Sequence, residues 1–255
     1  MADSTPLALA GLDIHLFGLE HGAAAPVVFV THGRGGAVES IFDQCAALAA
    51  AGLIAIGVEQ RNHGRRAVDP EQNGAYGPTF PTTFYANMLG TAADISLLID
   101  LLPARLGLAM TRVGVEGASM GGHVTLLAMA RDPRITVGAA LIGSGDFLCT
   151  QRGRAADHGV PAAELDTYLP PALTALAARA DPIANAAAFA DRPLLLANGD
   201  DDTLVPITGN ARFYAACLPH YRHPERLRLS RYPGVGHAVP PAMWAEAQAW
   251  LARWL

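Results

Sequence analysis

Val113-Gly114-Val115-Glu116-Gly117-Ala118-Ser119-Met120-Gly121-Gly122 is the stretch that decides the fold. A short apolar run is followed at once by G-x-S-x-G, and helix-forming residues continue to Asp132, where Pro133 stops them. That is the pattern of a strand turning sharply into a helix with a serine at the bend. Flanking side chains would collide in so tight a turn, so the glycines have a steric role. A serine exposed there is a candidate nucleophile.

Outward from the bend, buried-strand runs alternate with longer helical patterns. Strands are expected at 26–31, 53–58, 135–142, 193–197 and 227–232, and helices at roughly 38–51 and 86–106. Gly52 stands where the first of these helices should close. In the second, Met88, Ala92, Ile95, Ile99, Leu102 and Leu106 make one apolar stripe. Met243, Ala247, Trp250 and Trp254 do the same in a last helix. Strands alternating with helices imply βαβ units and a mostly parallel sheet covered on both faces. The segment 7–19 alternates like an edge hairpin. The roughly 25 residues after Val58 read as a surface loop, and 144–190, broken by Pro161, Pro170, Pro171 and Pro182, read as short helices over one end of the sheet.

Composition removes several classes. Apolar residues make up 51% and charged residues 16% of the 255, against about 25% charged in ordinary soluble proteins, so a disordered chain is excluded. Net charge is −5, lysine is absent and no basic run exceeds two residues. Neither nucleic acid nor an anionic membrane is therefore an expected partner. Cys45, Cys149 and Cys217 are odd in number and far apart, which reads as reduced thiols in a cytoplasmic setting. Residues 1–6 lack the basic and apolar regions of a signal peptide, and no apolar run is long enough to span a bilayer.

A serine hydroxyl needs a base. His237, in Gly234-Val235-Gly236-His237 just past the last strand, is the candidate among nine histidines. The base needs a carboxylate to fix its tautomer, and Asp200-Asp201-Asp202 follows the 193–197 strand. Asp202 is chosen because the chain must turn quickly after it, through Thr203 to Pro206. Asp201 is the alternative, and Asp146 the outsider. Charge developing on an acyl oxygen calls for preorganised N–H donors. Met120 N–H, at the start of the helix, is one candidate, and Arg34 N–H in His32-Gly33-Arg34-Gly35-Gly36 is the other, with Gly35 close behind. The glycine-rich loop lacks the Lys-Ser/Thr of a phosphate-binding loop. Phe84, Phe147 and Tyr168, placed in the two irregular segments, are candidate substrate contacts, as is Tyr85 beside them. His220 and His223 make an H-x-x-H pair that no Glu completes as a hydrolytic zinc site, so neither metal nor organic cofactor is expected.

His32-Gly33 with its loop, Glu59-Gln60-Arg61-Asn62-His63-Gly64, Gly117 to Gly122, Gly199 to Pro206 and Gly234 to His237 together resemble the α/β-hydrolase superfamily over nearly the whole chain. More narrowly, the chain looks like small bacterial carboxylesterases related to dienelactone hydrolases and to the prolyl-oligopeptidase catalytic domain. The resemblance implies one α/β-hydrolase domain over 1–255 with a cap insertion at 144–190. It also implies a serine esterase acting on a small-molecule ester, with thioester, lactone or peptide cleavage as alternatives, or a ligand-binding protein of the same fold. Dienelactone hydrolases carry Cys where this chain has Ser119, so that activity is not expected. Glu116, and Glu59 where relatives often have Asp, depart from the pattern.

Overall fold

The computed structural model describes residues 4–68, 80–157, 159–164 and 169–255. Eight strands form one sheet: β1 (Thr5–Leu9), β2 (Leu12–Phe17), β3 (Val27–Thr31), β4 (Ile54–Val58), β5 (Val113–Ala118), β6 (Ile135–Leu141), β7 (Leu194–Gly199) and β8 (Leu227–Tyr232). Their order is β1-β2-β4-β3-β5-β6-β7-β8. The expected edge hairpin is β1 and β2, which pair antiparallel with each other and with β4. From β4 to β8 every neighbouring pair is parallel, so six strands end at the same edge.

The helices are α1 (Phe42–Ala50), α2 (Phe80–Leu106), α3 (Met120–Arg131), α4 (Phe147–Asp157), α5 (Pro171–Ala180), α6 (Ile207–Cys217) and α7 (Pro241–Trp254). One face of the sheet packs Val27, Phe29, Ile54, Ile56, Val113 and Val115 against Met88, Ala92 and Ile95 of α2 and Val124 of α3. The other packs Val28, Val30, Ala55, Ala139 and Leu195 against Cys45 and Leu48 of α1 and Met243, Ala247 and Trp250 of α7. Inner strands buried on both faces explain the unbroken apolar runs.

Two boundaries differ from expectation. A 3-10 turn at Val38–Ile41 precedes α1, and α2 starts at Phe80 rather than near 86. Phe84 and Tyr85 therefore stand in the first turns of a long helix, not in irregular chain; packing of Tyr85, which is fully buried, outweighs the weak helix preference of Thr82-Thr83-Phe84-Tyr85. Phe147 likewise opens α4. Between β6 and β7 the described residues form α4, α5 and two 3-10 segments (Ala162–Glu164 and Pro182–Phe189). Asp181 anchors this stretch: its carboxylate accepts the Phe147 N–H at the start of α4 (2.9 Å). Tyr168 lies outside the described residues.

Candidate active site

Ser119 sits between β5 and α3 with φ 58° and ψ −117°, a conformation that a non-glycine residue holds only when its surroundings over-determine it. The surroundings are visible. Ser119 N–H donates to the Leu141 carbonyl of β6 (2.9 Å), and the Ser119 carbonyl accepts the His123 N–H (3.1 Å). A methyl group on Gly117 would lie 2.5 Å from the Gly121 backbone and from Thr31 Oγ1, and one on Gly121 would lie 2.3 Å from the Thr31 carbonyl oxygen. Glycine at both positions lets β3 and the elbow close on each other.

Ser119 Oγ is 2.8 Å from His237 Nε2, and His237 Nδ1 is 2.7 Å from Asp202 Oδ2. A carboxylate only accepts, so Nδ1 carries the hydrogen and Nε2 keeps the lone pair that faces the serine hydroxyl. Asp202 is 3% exposed, and its other oxygen accepts the N–H groups of Leu204 (2.9 Å) and Val205 (2.8 Å). The rapid turn after Asp202 is thus held by its own side chain. Its neighbours are engaged elsewhere: Asp200 takes Arg231 Nε (2.8 Å), and Asp201 is exposed. Asp146, after β6, accepts Arg212 Nε (2.8 Å) and the Cys149 N–H (2.9 Å), away from the imidazole.

Asp202 and His237 meet because their loops are laced together. Asp200 N–H donates to the Tyr232 carbonyl and Asp201 N–H to the Val235 carbonyl, each at 3.0 Å. Gly199 lies so close to this loop that a methyl group there would be 2.0 Å from the Val235 oxygen.

The oxyanion candidates lie alongside. Met120 opens α3, and the first amides of a helix have no partner within it. The loop after β3 passes close to the serine: a methyl group on Gly33 would be 3.6 Å from Ser119 Cβ. Arg34 follows directly and is half-buried.

Close to Ser119 lies His123, one turn into α3. It is 3% exposed, and its Nδ1 donates to the Ser144 carbonyl (2.9 Å). Burial pulls its pKa down to about 4, so its ring is neutral at physiological pH. The rings of Phe84 and Phe147 stand 6.1 and 6.2 Å from it, and 6.3 Å from each other. Of the four aromatic residues singled out as substrate contacts, Phe84 and Phe147 therefore stand together beside the elbow helix, and Tyr85 packs on Phe147 at 4.6 Å.

Two groups without an assigned place in the sequence reading now have one. His32 and Glu59, at the carboxyl ends of β3 and β4, form a buried pair with Nε2 to Oε1 at 2.7 Å. Burial would raise the Glu59 pKa, but bonds and charge from His32, with the Val38 and Arg65 amides, outweigh it and hold the group below its ordinary value. His63 lies 5.6 Å away. Its pKa is lowered: burial pulls it down, the bond to the Arg61 carbonyl pushes it up, and charge on His32 pulls it down again. The pairing was not legible because the two residues are 27 positions apart and meet only through the β3–β4 register. Glu116 on β5 is fully buried, neither oxygen has a partner among the described residues, and burial raises its pKa to about 8.

The loop arginines are engaged structurally: Arg61 and Arg66 both bind Asp94 (2.7 and 2.8 Å), and Arg65 lies 3.8 Å from Glu39. His223 faces Glu225 at 3.5 Å. Among the described residues no group of three or more His, Cys, Asp or Glu could hold a metal ion, and no helix is long and apolar enough to cross a membrane.

Sheet order, elbow and the residues gathered at one sheet edge define an α/β-hydrolase-fold enzyme, a hydrolase. The chain belongs to the prolyl oligopeptidase family, whose profile matches residues 67–255. It is 26% identical over 236 residues to the putative esterase YitV of Bacillus subtilis, covering 91% of this chain and 90% of that protein. It is 28% identical over 231 residues to the esterase YjfP of Escherichia coli, covering 85% and 84%. The crystal structure of TT1662 from Thermus thermophilus superposes with a TM-score of 0.79 at 24% identity, over 99% of this chain and 97% of that one.

Proposed function

We propose that the protein is a serine carboxylesterase for a small-molecule ester. The observation that carries this reading is the relay from Ser119 Oγ through His237 to the buried Asp202, at 2.8 and 2.7 Å, with the serine on a strained elbow. In this mechanism His237 Nε2 takes the Ser119 proton as Oγ attacks the ester carbonyl. Asp202 stabilises the imidazolium that results. The tetrahedral oxyanion accepts hydrogen bonds from Met120 N–H and Arg34 N–H. His237 then protonates the departing alcohol, and water, deprotonated by the same imidazole, cleaves the acyl-enzyme and restores Ser119.

The 144–190 segment is read as a cap on a single domain spanning 1–255. Phe84 and Phe147 are read as walls of the substrate pocket, a role supported by their position against His123. The esterase names of YitV and YjfP, which match most of this chain, favour an ester over a peptide. No cofactor enters the reaction, and the three cysteines, all free, suit a reducing, cytoplasmic setting.

The test is initial rates on p-nitrophenyl esters from acetate to laurate, with wild type beside Ser119→Ala, and labelling with a fluorophosphonate. Turnover and labelling by wild type alone are expected. A Ser119→Ala protein with wild-type rates would refute the mechanism. A wild type that neither turns over nor labels would leave a ligand-binding role for the fold.

A further inference from the structure

His32 precedes the loop that carries Arg34, and its ring is enclosed on both edges. Nδ1 is 2.7 Å from the Gly33 carbonyl oxygen. Nε2 is 2.7 Å from Glu59 Oε1, and the Gln60 N–H approaches the same nitrogen at 3.2 Å. The closest partner on each edge is an oxygen, so the ring is held from both sides. The Gln60 side-chain amide also donates to the His32 carbonyl. At 1% exposure, a histidine so enclosed has one orientation.

The consequence falls on the next peptide. A trans peptide is planar, and its C=O and N–H point opposite ways. Gly33 C=O is held by His32 Nδ1–H and, more loosely, by the Gly36 N–H at 3.2 Å. The N–H of that peptide belongs to Arg34, and it therefore faces away from the His32 ring, while Gly33 itself runs beside Ser119. Holding one end of the peptide aims the other.

Glu59 is fitted to this task. It is 1% exposed, and its second oxygen accepts the Val38 N–H (3.4 Å). Gly64 makes room for it: φ there is +48°, and a methyl group would lie 2.0 Å from Glu59 Oε2. A side chain at 64 and this carboxylate exclude each other, so Gly64 permits the longer acid that marks this chain.

We propose that Glu59 is a positioning residue for the oxyanion site, acting through His32 to fix the Gly33–Arg34 peptide with its N–H toward the substrate oxygen. The inference rests on the serine-hydrolase reading above and adds to it the group that sets the second donor. A donor aimed at developing charge is worth about 100- to 1000-fold in kcat when removed; misaiming one costs part of that, and it costs kcat rather than KM because the charge exists only in the transition state.

The experiment compares wild type, Glu59→Gln, His32→Leu and His32→Asn on the fastest p-nitrophenyl ester. It reads kcat, KM and the inhibition constant of a trifluoromethyl ketone, whose adduct places an oxyanion in the same position. Glu59→Gln and His32→Leu are expected to lower kcat about 10- to 100-fold with KM within about twofold, and to weaken the ketone by a similar factor. Their double variant should lose no more than the worse single variant, because both act along one path. His32→Asn keeps a donor near the Nδ1 position and should recover part of the loss.

Folded Glu59→Gln and His32→Leu proteins with wild-type kcat overturn the proposal, as do equal losses in kcat and ketone affinity for His32→Asn and His32→Leu. If Glu59→Gln fails to fold, that His32 comparison decides alone. A wild type that neither turns over nor takes the fluorophosphonate label removes the serine-hydrolase reading and this inference with it. A wild type that turns over while the variants keep its kcat removes this inference only.

Discussion

Gly121 lies against Thr31 so closely that a methyl group in its place would stand 2.3 Å from the Thr31 carbonyl oxygen. The neighbour is backbone in the centre of the sheet and cannot swing aside. In an exposed helix, Gly to Ala gains about 1 kcal/mol; here overpacking, which costs about 1–3 kcal/mol and sometimes more, opposes that gain and exceeds it. Gly121→Ala should lower the urea midpoint by the equivalent of about 2 kcal/mol with an unchanged m-value. It should also depress activity, since the elbow carries Ser119.

The three adjacent aspartates offer a direct contrast. Asp202 holds His237 Nδ1 and is buried, whereas Asp201 is exposed. Asp202→Asn should reduce kcat by about 10⁴-fold, because an amide can present its N–H to Nδ1 and stabilise the wrong tautomer. Asp201→Asn should stay within about twofold of wild type. Similar activities for the two variants would show that the acid is misassigned.

Glu116 predicts a pH dependence of stability. Burial raises its folded-state pKa to about 8, above the value of about 4.3 for an unfolded glutamate. Below the unfolded value both states are protonated. As pH rises from there towards 8, the unfolded chain releases a proton that the folded chain retains, and stability falls by up to about 1.4 kcal/mol per pH unit. Above 8 the loss levels off. Glu116→Gln removes this term, so the stability of the variant should gain on wild type between pH 5 and pH 8 in urea titrations. A constant difference across that range would show that Glu116 does not titrate as its burial implies.

Phe147 and Phe84 should separate stability from specificity. Phe147 is 1% exposed, so Phe147→Ala should cost about 3–5 kcal/mol. Phe84 is half-buried on α2, and Phe84→Ala should cost about 1 kcal/mol while shifting the preferred acyl length. Chain-length profiles of the two variants at a temperature where both are folded provide the check.

The central strands were legible because parallel strands buried on both faces leave unbroken apolar runs, and the Ser119 bend because its glycines are sterically required. The stripe from Met88 to Leu102 was legible for the same reason, since a helix packed on a sheet must repeat its apolar positions. The start of α2 was not: Thr82-Thr83-Phe84-Tyr85 carries strand-like preferences, and it is the burial of Tyr85 that makes it helical. The position of Asp202 could be read only as a choice among three, because spacing along a loop does not say which carboxylate turns inward. The His32–Glu59 pair was out of reach, as it depends on β4 lying beside β3 in register.

The ties from Asp200 and Asp201 to the loop carrying His237 have an evolutionary reading. They join the ends of neighbouring strands β7 and β8 into one block, so two adjacent strand ends set the spacing of Asp202 and His237. On the cap reading proposed above, the segment between β6 and β7 can change in length and composition from one descendant to the next, altering what is admitted to the site while leaving the hydrogen-bonded chain of Ser119, His237 and Asp202 undisturbed.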